Sequence, residues 1–256
     1  MGKKSLLLIL VLVSALAYAD VQDELTYQWG YLKHISGFEM FVASVLNDHM
    51  LIESEQYYHN VYTAIDTSSF PNGLGALAKA KASIMFARSY VELDNSSTQK
   101  IKELLDAAET LLSQSEAEGA SRAMVMTLRA DLASVRYLYS GKLGDALAVS
   151  KAIDAVYREF PNDLNARLLK ADKMLYAPAI GGGDTRKALD LFIGVWNQIE
   201  KHEVCRWDLF TTAAGLGSAL HKSKDDRDLT YISFACSLYS GDQVINELFQ
   251  SLTRGQ

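Results

Sequence analysis

Apolar residues recur at the spacing of an amphipathic helix along most of this chain. The clearest stripe repeats at i, i+3, i+4 and i+7 opposite a charged face, and it consists of Ile101, Leu104, Leu105, Ala108, Leu111 and Leu112. Similar stripes are Leu77, Ala80, Ile84, Ala87 and Val91; Leu164, Leu168, Ala171 and Leu175; and Ala188, Phe192, Val195, Trp196 and Ile199. No segment alternates apolar and polar residues with the period of a strand, so the pattern predicts an all-α protein.

Turn-forming residues divide these stripes into separate helices. Interruptions by Pro, Gly, Asn and Ser predict breaks near 94–97, 116–121, 140–142, 160–163 and 178–184. Helices joined by such short turns pack as antiparallel neighbours, and we therefore expect a series of helix pairs over residues 75–202. Residues 121–139 carry apolar groups on two faces, which is typical of an inner helix packed on both sides. The helix that follows has the predicted stripe Leu143, Ala146, Leu147, Ser150, Ile153, Tyr157 and Phe160.

A short motif repeats at the start of three of the predicted helices. Its clearest copy is residues 141–147, followed by Tyr157 and by residues 160–162, and the weaker copies are residues 183–189 and 101–107. The motif resembles the second half of a tetratricopeptide repeat, where a Gly and then an Ala open the second helix and a Pro closes the unit. Ala188 and Ala107 then stand in the place of Ala146. The resemblance implies a right-handed superhelix of antiparallel helix pairs over residues 73–202, preceded by a helical segment (20–72) and completed by further helices (203–256).

A narrower resemblance concerns residues 175–184, in which Tyr176 and Pro178 precede a glycine-rich turn and an Ala-Leu helix. This pattern is similar to exported bacterial repeat proteins, among them the repeat partner proteins of periplasmic TRAP-type transporters. The resemblance implies an oligomeric protein without catalytic activity. It also implies a protein that binds a periplasmic solute-binding protein or a small hydrophobic ligand.

The N-terminus has the pattern of a secretory signal peptide over residues 1–19. Lys3 and Lys4 form a positive region, an apolar run follows, and Ala17-Tyr18-Ala19 is a small-x-small cleavage motif before Asp20. A retained N-terminal anchor is the alternative, although the apolar run is shorter than the roughly 20 residues of a typical span. No cysteine lies near the cleavage site for lipid attachment. We therefore expect a periplasmic or secreted protein with no membrane insertion after cleavage.

The net charge bears on the class of partner, and the two cysteines bear on whether the protein contains a disulfide. The formal charge is −6, and it becomes −8 once Lys3 and Lys4 leave with the signal. An acidic surface disfavours nucleic acid and anionic membranes. Cys205 and Cys236 could form a disulfide in an exported protein, or they could be two small buried apolar side chains.

No motif with the spacing of a catalytic, cofactor or metal site stands out. The glycines at 181–183 lack the lysine position of a phosphate loop, and a helix break followed by an Asp184 N-cap explains them. His49, Glu55 and His59 could be assembled into a metal site, but a solvated helix face has the same composition. His202 and Cys205 lie three residues apart at a predicted break, with no accompanying oxyanion hole. The sequence therefore predicts a protein that is not an enzyme and has no cofactor or metal.

Binding residues are expected on the first helix of each pair, because these helices line the concave face of such an array. The candidates are Arg129, Arg136, Tyr137, Asn165, Arg167 and Tyr176. The leading hypothesis is a protein-interaction module whose partner is a protein such as a solute-binding protein, with self-association also open. The alternative is a small-ligand binder of a solute-uptake system. A pocket closed by Trp and Tyr would favour the ligand, and an open polar face would favour the protein partner.

Overall fold

A computed structural model describes residues 27–47, 51–93, 97–199, 202 and 204–254, and those residues form helices and no strands. A 3₁₀ segment (Tyr27–His34) is followed by α1 (Phe38–Val45), α2 (Leu51–Asp66), α3 (Leu74–Leu93), α4 (Thr98–Ala117), α5 (Arg122–Ser140), α6 (Leu143–Glu159), α7 (Leu164–Tyr176), a short 3₁₀ turn (Ala179–Gly181), α8 (Thr185–Ile199), α9 (Arg206–Lys222), α10 (Asp228–Leu238) and α11 (Gln243–Arg254). The all-α prediction is confirmed for this part of the chain. The predicted signal peptide lies outside the described residues.

Successive helices pack as pairs, and each pair packs on the next. The pairs are α3 with α4, α5 with α6, α7 with α8, and α9 with α10. The first helices of neighbouring pairs contact each other, and the second helix of each pair contacts the first helix of the next. Each of the five predicted breaks coincides with a junction between helices to within two residues. The expectation of packed helix pairs over residues 75–202 is therefore confirmed.

Most of the predicted stripes are the buried faces of their helices. On α7 all four predicted residues are buried, and on α8 the stripe is buried except for the half-buried Trp196. Helix α5 is buried along two faces, as expected for an inner helix, and it contacts four other helices: α3, α4, α6 and α7.

The stripe predicted for α6 was wrong in its first half. Leu143 and Leu147 are 75% and 55% exposed, whereas Ile153 and Val156 form the buried contact of this helix. The apolar positions of α6 permit two stripes that differ by a small rotation, and contact with α5 and α7 selects the one containing Val156. The repeat alignment is also shifted in α4, because Ala107 is exposed and Ala108 is buried.

Two glycines let α9 approach its neighbours closely. A Cβ on Gly215 would lie 2.3 Å from Cε1 of Phe192 on α8, and one on Gly217 would lie 2.6 Å from Cδ1 of Ile232 on α10. Contacts this short are not found for real Cβ atoms, so these positions require glycine unless the facing side chain moves. Helix α9 is thereby held tightly between α8 and α10.

The N-terminal segment joins the two ends of the array. Near the start of α3, the Tyr31 hydroxyl donates to the carbonyl oxygen of Leu74 at 3.1 Å. At the other end, the hydroxyl of Tyr239, just after α10, donates to Oε2 of Glu39 on α1 at 2.5 Å. The 3₁₀ segment also contacts α9. The segment therefore crosses from the first pair to the last.

None of the helices within the described residues has both the length and the apolar character needed to cross a bilayer.

Candidate functional site

A cavity of about 450 Å³ lies between the first helices of the four pairs. Helices α3, α5, α7 and α9 all contribute side chains to its wall, and Trp29 of the 3₁₀ segment closes part of it. A volume of this size is within the range of pockets that enclose small molecules. The cavity is therefore the candidate site.

Two indole rings flank a buried lysine at one end of this cavity. Lys81 of α3 is only 5% exposed, and its Nζ lies 4.7 Å from the ring centre of Trp29 and 6.0 Å from that of Trp207. A cation over an aromatic face is stabilised by the ring quadrupole. Trp29 itself has a left-handed backbone (φ 68°), which a bulky residue adopts only when its surroundings enforce it.

A buried carboxyl group lies behind this lysine. Asp208, in the first turn of α9, is 1% exposed, and its Oδ2 has no hydrogen-bond partner within the described part of the chain. Burial raises the pKa of Asp208 to about 7, and the positive charge of Lys81 opposes that shift. This carboxyl group therefore exchanges its proton near neutral pH.

The wall also carries three carboxyl groups, a guanidinium and a second ammonium group, and these belong to Glu92, Asp131, Asp172, Arg88 and Lys173. Asp131 of α5 and Asp172 of α7 both line the wall, together with Arg88 of α3. Burial, and then repulsion from Asp131, raises the pKa of Asp172 to about 7, while Arg88 acts in the opposite direction. Arg88 follows Lys81 by seven residues, which on a helix separates their Cα atoms by roughly 10 Å. The charged groups therefore form two clusters, one with Lys81 and Asp208 and one with Arg88, Asp131 and Asp172.

Four hydroxyl groups of the wall already donate hydrogen bonds within the protein. The side chains of these residues donate to carbonyl oxygens of their own helices at 2.7–3.1 Å, and the residues are Ser89, Thr127, Ser134 and Thr211. A hydroxyl has one proton, so these groups can accept a hydrogen bond from a bound molecule but cannot readily donate one. The remaining wall is largely apolar, with Ile84, Leu128 and Leu168 among its residues.

Two of the six predicted binding residues line the cavity. Asn165 is buried in its wall, and Tyr176 lies at its edge, 62% exposed, with Lys222 Nζ 4.8 Å from the ring centre. Lys222 also donates to the carbonyl oxygen of Leu175 at 2.8 Å, which anchors the end of α7. These two residues come from the same helix, so the structure brings them together.

The other four predicted residues lie outside the cavity wall. Arg129 Nη2 pairs with Glu116 on α4 at 2.9 Å, and Arg136 Nη1 lies 3.4 Å from Glu109 on the same helix. Arg167 donates through Nε to the carbonyl oxygen of Pro161 at 2.9 Å, and Tyr137 is exposed in the last turn of α5. Because α5 has two apolar faces, the sequence identified the correct helix but not the face that looks into the cavity.

The charged residues that line this cavity could not be identified from the sequence pattern. Lys81 follows Ala80 and precedes Ile84 within a stripe that is otherwise apolar, and that position was the available signal. Trp29 and Trp207 are 178 positions apart. Nothing local in the sequence predicts that both lie beside the same lysine.

The alternative chemistries weighed from the sequence lack support among the described residues. Asp184 Oδ1 accepts from the backbone N–H of Lys187 at 3.1 Å, so the glycine run does precede an N-cap as predicted. Cys205 and Cys236 are free thiols rather than a disulfide. Cys205 is fully buried, and burial raises its pKa, which disfavours the thiolate that a nucleophile needs. Within the described ranges no three His, Cys, Asp or Glu side chains are grouped to hold a metal ion, and His49 lies outside those ranges.

Comparison with known proteins does not assign this chain to a family. No protein-family model matches it, and neither a curated protein nor a solved structure is significantly similar.

Proposed function

We propose that this protein is an exported, tetratricopeptide-like helical array that binds a small organic molecule in the cavity between its first helices. The observation that carries the proposal is the cavity itself, which has apolar walls, two tryptophans and a few charged groups. A largely apolar pocket with a small number of polar groups is the usual form of a ligand site. No catalytic role is proposed.

The tetratricopeptide-like arrangement is supported by the order of helix contacts. In such arrays the first helices of successive units lie side by side and line the concave face. Here α3, α5, α7 and α9 have that relation, and all four contribute to the cavity. The three copies of the sequence motif fall at the starts of α4, α6 and α8, which are all second helices of their pairs.

The aromatic closure of the cavity favours a small ligand over a protein partner at this site. A protein partner would need an open surface, whereas Trp29 is fully buried and occupies part of the concave side. A role in solute uptake fits the narrower resemblance and the predicted export signal.

A second candidate function, binding of a protein partner, is supported at a different place. Four apolar side chains are exposed around the α5–α6 turn, and they are Tyr137, Leu138, Leu143 and Leu147. Exposed apolar groups that cluster in this way are typical of interaction surfaces. A solute-binding protein or a second copy of the chain could bind here without entering the cavity.

The proposed function predicts that filling the cavity abolishes binding of an apolar probe. The chain has three tryptophans, and Trp196 packs outside the cavity against Tyr231 at 5.2 Å. In a Trp196→Phe background, emission therefore reports on the two cavity tryptophans, and a decanol titration should change it. Adding Ser134→Phe should weaken decanol binding about tenfold or more, because the ring occupies the ligand volume.

A matched control exists on the outer surface. Ser113 of α4 is exposed and makes the same kind of bond, from its hydroxyl to the carbonyl oxygen four residues earlier. Ser113→Phe should leave decanol binding unchanged. Failure of the parent protein to bind both decanol and charged probes of the same chain length would contradict the proposed function. Ser134→Phe should not change the affinity for a protein partner that binds at the α5–α6 turn.

A further inference from the structure

Lys81 is unusual for a lysine in that it is almost fully buried, while the carboxyl group of Asp208, whose charge acts on it, does not lie within ion-pair distance. Its side chain is 5% exposed, and within the described residues its Nζ forms no ion pair shorter than 4 Å. Burying a cation without a close ion pair is costly, and a buried charge of this kind in a cleft is a candidate binding group. The contacts of the Nζ are the faces of Trp29 and Trp207, and the side chain also lines the cavity.

We propose that Lys81 binds the acid group of a small organic anion whose apolar body fills the cavity. This inference rests on the proposed function, and it names the chemical class of the ligand. A lysine presents a compact positive charge with three donors, which suits a carboxylate or a similar monoanion. The apolar wall beyond the lysine suits an aliphatic or aromatic body.

The other polar groups of the cavity support an anion at this end. The four hydroxyls donate to helix carbonyls, so they supply acceptors, and Lys81 supplies a charged donor beside the tryptophans. The carboxyl groups of Asp131 and Asp172 belong to the second charged cluster, with Arg88, and they would repel an acid group. An anionic ligand is therefore oriented with its acid group toward Lys81.

The protonation state of Asp208 should affect how tightly the anion binds to Lys81. Its unpartnered Oδ2 lies behind Lys81, and the positive charge of that lysine attracts the carboxylate. The other groups that act on Asp208 are Cys205, which precedes the same helix, and Asp163, which caps α7. A ligand carboxylate competes with ionised Asp208 for Lys81, and protonation of Asp208 removes that competition.

Three probes of equal chain length test the proposal by calorimetric titration: decanoate, decanol and decyltrimethylammonium. Decanoate should bind the parent protein about tenfold more tightly than decanol, in keeping with a hydrogen bond to a charged group. Lys81→Met should remove this preference while decanol still binds, which also shows that the variant is folded. Lys79→Met is the control, because Lys79 lies two residues away on the same helix and pairs with Asp66 outside the cavity wall.

A second variant covers the case in which Lys81→Met does not fold. Asp208→Asn should strengthen decanoate binding several-fold at pH 8, where the native carboxyl is ionised, and by less at pH 6. Equal binding of decanoate and decanol would overturn the inference and leave the proposed function standing. Preference for decyltrimethylammonium would overturn it in favour of cation binding at Asp131 and Asp172. Failure of all three probes would overturn the proposed function as well.

Discussion

The chemistry of this site depends on single buried charged residues more than on any sequence motif. Lys81 and Asp208 lie on helices that are far apart in sequence, and each is more than nine-tenths buried. Ala would form the interior of α3 better than Lys81 does, and an exposed Asp would suit the first turn of α9 as well as the buried Asp208. Their burial costs free energy, and the cavity they serve gives that cost a functional explanation.

The titration of Asp208 predicts how stability depends on pH. Its pKa is about 7 in the folded protein and near 3.8 when unperturbed, so the folded state holds this proton more tightly. The stabilising contribution is complete below pH 3.8, and it is lost as the pH rises to 7. Asp208→Asn should therefore reduce the fall in the free energy of unfolding across this window, where one group contributes at most about 1.4 kcal/mol per pH unit.

Urea denaturation at several pH values from 4 to 8 measures this dependence directly. Asp172 has a raised pKa as well and contributes in the same direction, so Asp208→Asn should flatten the curve without removing its slope. A curve identical to that of the parent protein would contradict the assignment of Asp208.

Individual helices of this protein could be predicted from the sequence with good accuracy. The stripes on α4 and α7 repeat unambiguously, and the breaks carry Pro, Gly or a capping residue such as Asp163, whose side chain accepts from Ala166 N at 2.9 Å. Local signals of this kind are sufficient because they depend on residues within one or two turns.

The side of a helix that faces the cavity could not be predicted in the same way. Helix α5 is apolar on two sides, and α6 permits two alternative stripes. Burial in these helices depends on neighbours from other pairs, so periodicity alone leaves the rotation of the helix open. The same reason explains why Arg129 was selected and Asp131, two residues away, was not.

Two alanines of the repeat motif should respond differently to enlargement. Ala188 of α8 is fully buried, whereas the corresponding Ala146 of α6 is only half-buried. Replacement of Ala188 by Leu overfills a packed contact and should reduce the free energy of unfolding by about 1–3 kcal/mol. Ala146→Leu should cost clearly less, because Leu143 and Leu147 beside it are exposed.

Thermal melts of the two variants compare these positions. Equal destabilisation by the two substitutions would mean that Ala146 is also a close helix contact. If Ala188→Leu melted like the parent protein, the motif would not mark a close contact between helices.

At the scale of the whole molecule, the two ends of the array are linked. Trp29 and Tyr239 belong to opposite ends of the chain, and the N-terminal segment connects both to the same core. In an open repeat array each unit contacts only its neighbours, and terminal units can unfold separately. Here the bond from Tyr239 to Glu39 joins the ends across 200 positions.

This linkage predicts that the described domain unfolds in a single transition. Denaturation followed by far-ultraviolet circular dichroism reports on all helices, while tryptophan fluorescence reports on Trp29, Trp196 and Trp207, which lie in the N-terminal segment, α8 and α9. The two curves should coincide, as they do for a cooperative two-state domain. A separate early transition in fluorescence would show that the N-terminal segment detaches first.

The site around Lys81 also constrains how this protein can evolve, because its residues come from three distant parts of the chain: Trp29, Lys81 and Trp207. Repeat proteins commonly change length by the gain or loss of whole units, since each unit is a nearly independent module. In this chain two helix pairs, α5–α6 and α7–α8, lie between the pair that carries Lys81 and the pair that carries Trp207. Insertion or deletion of one pair would shift the last tryptophan out of register with the lysine, so the number of units is fixed by the site they enclose.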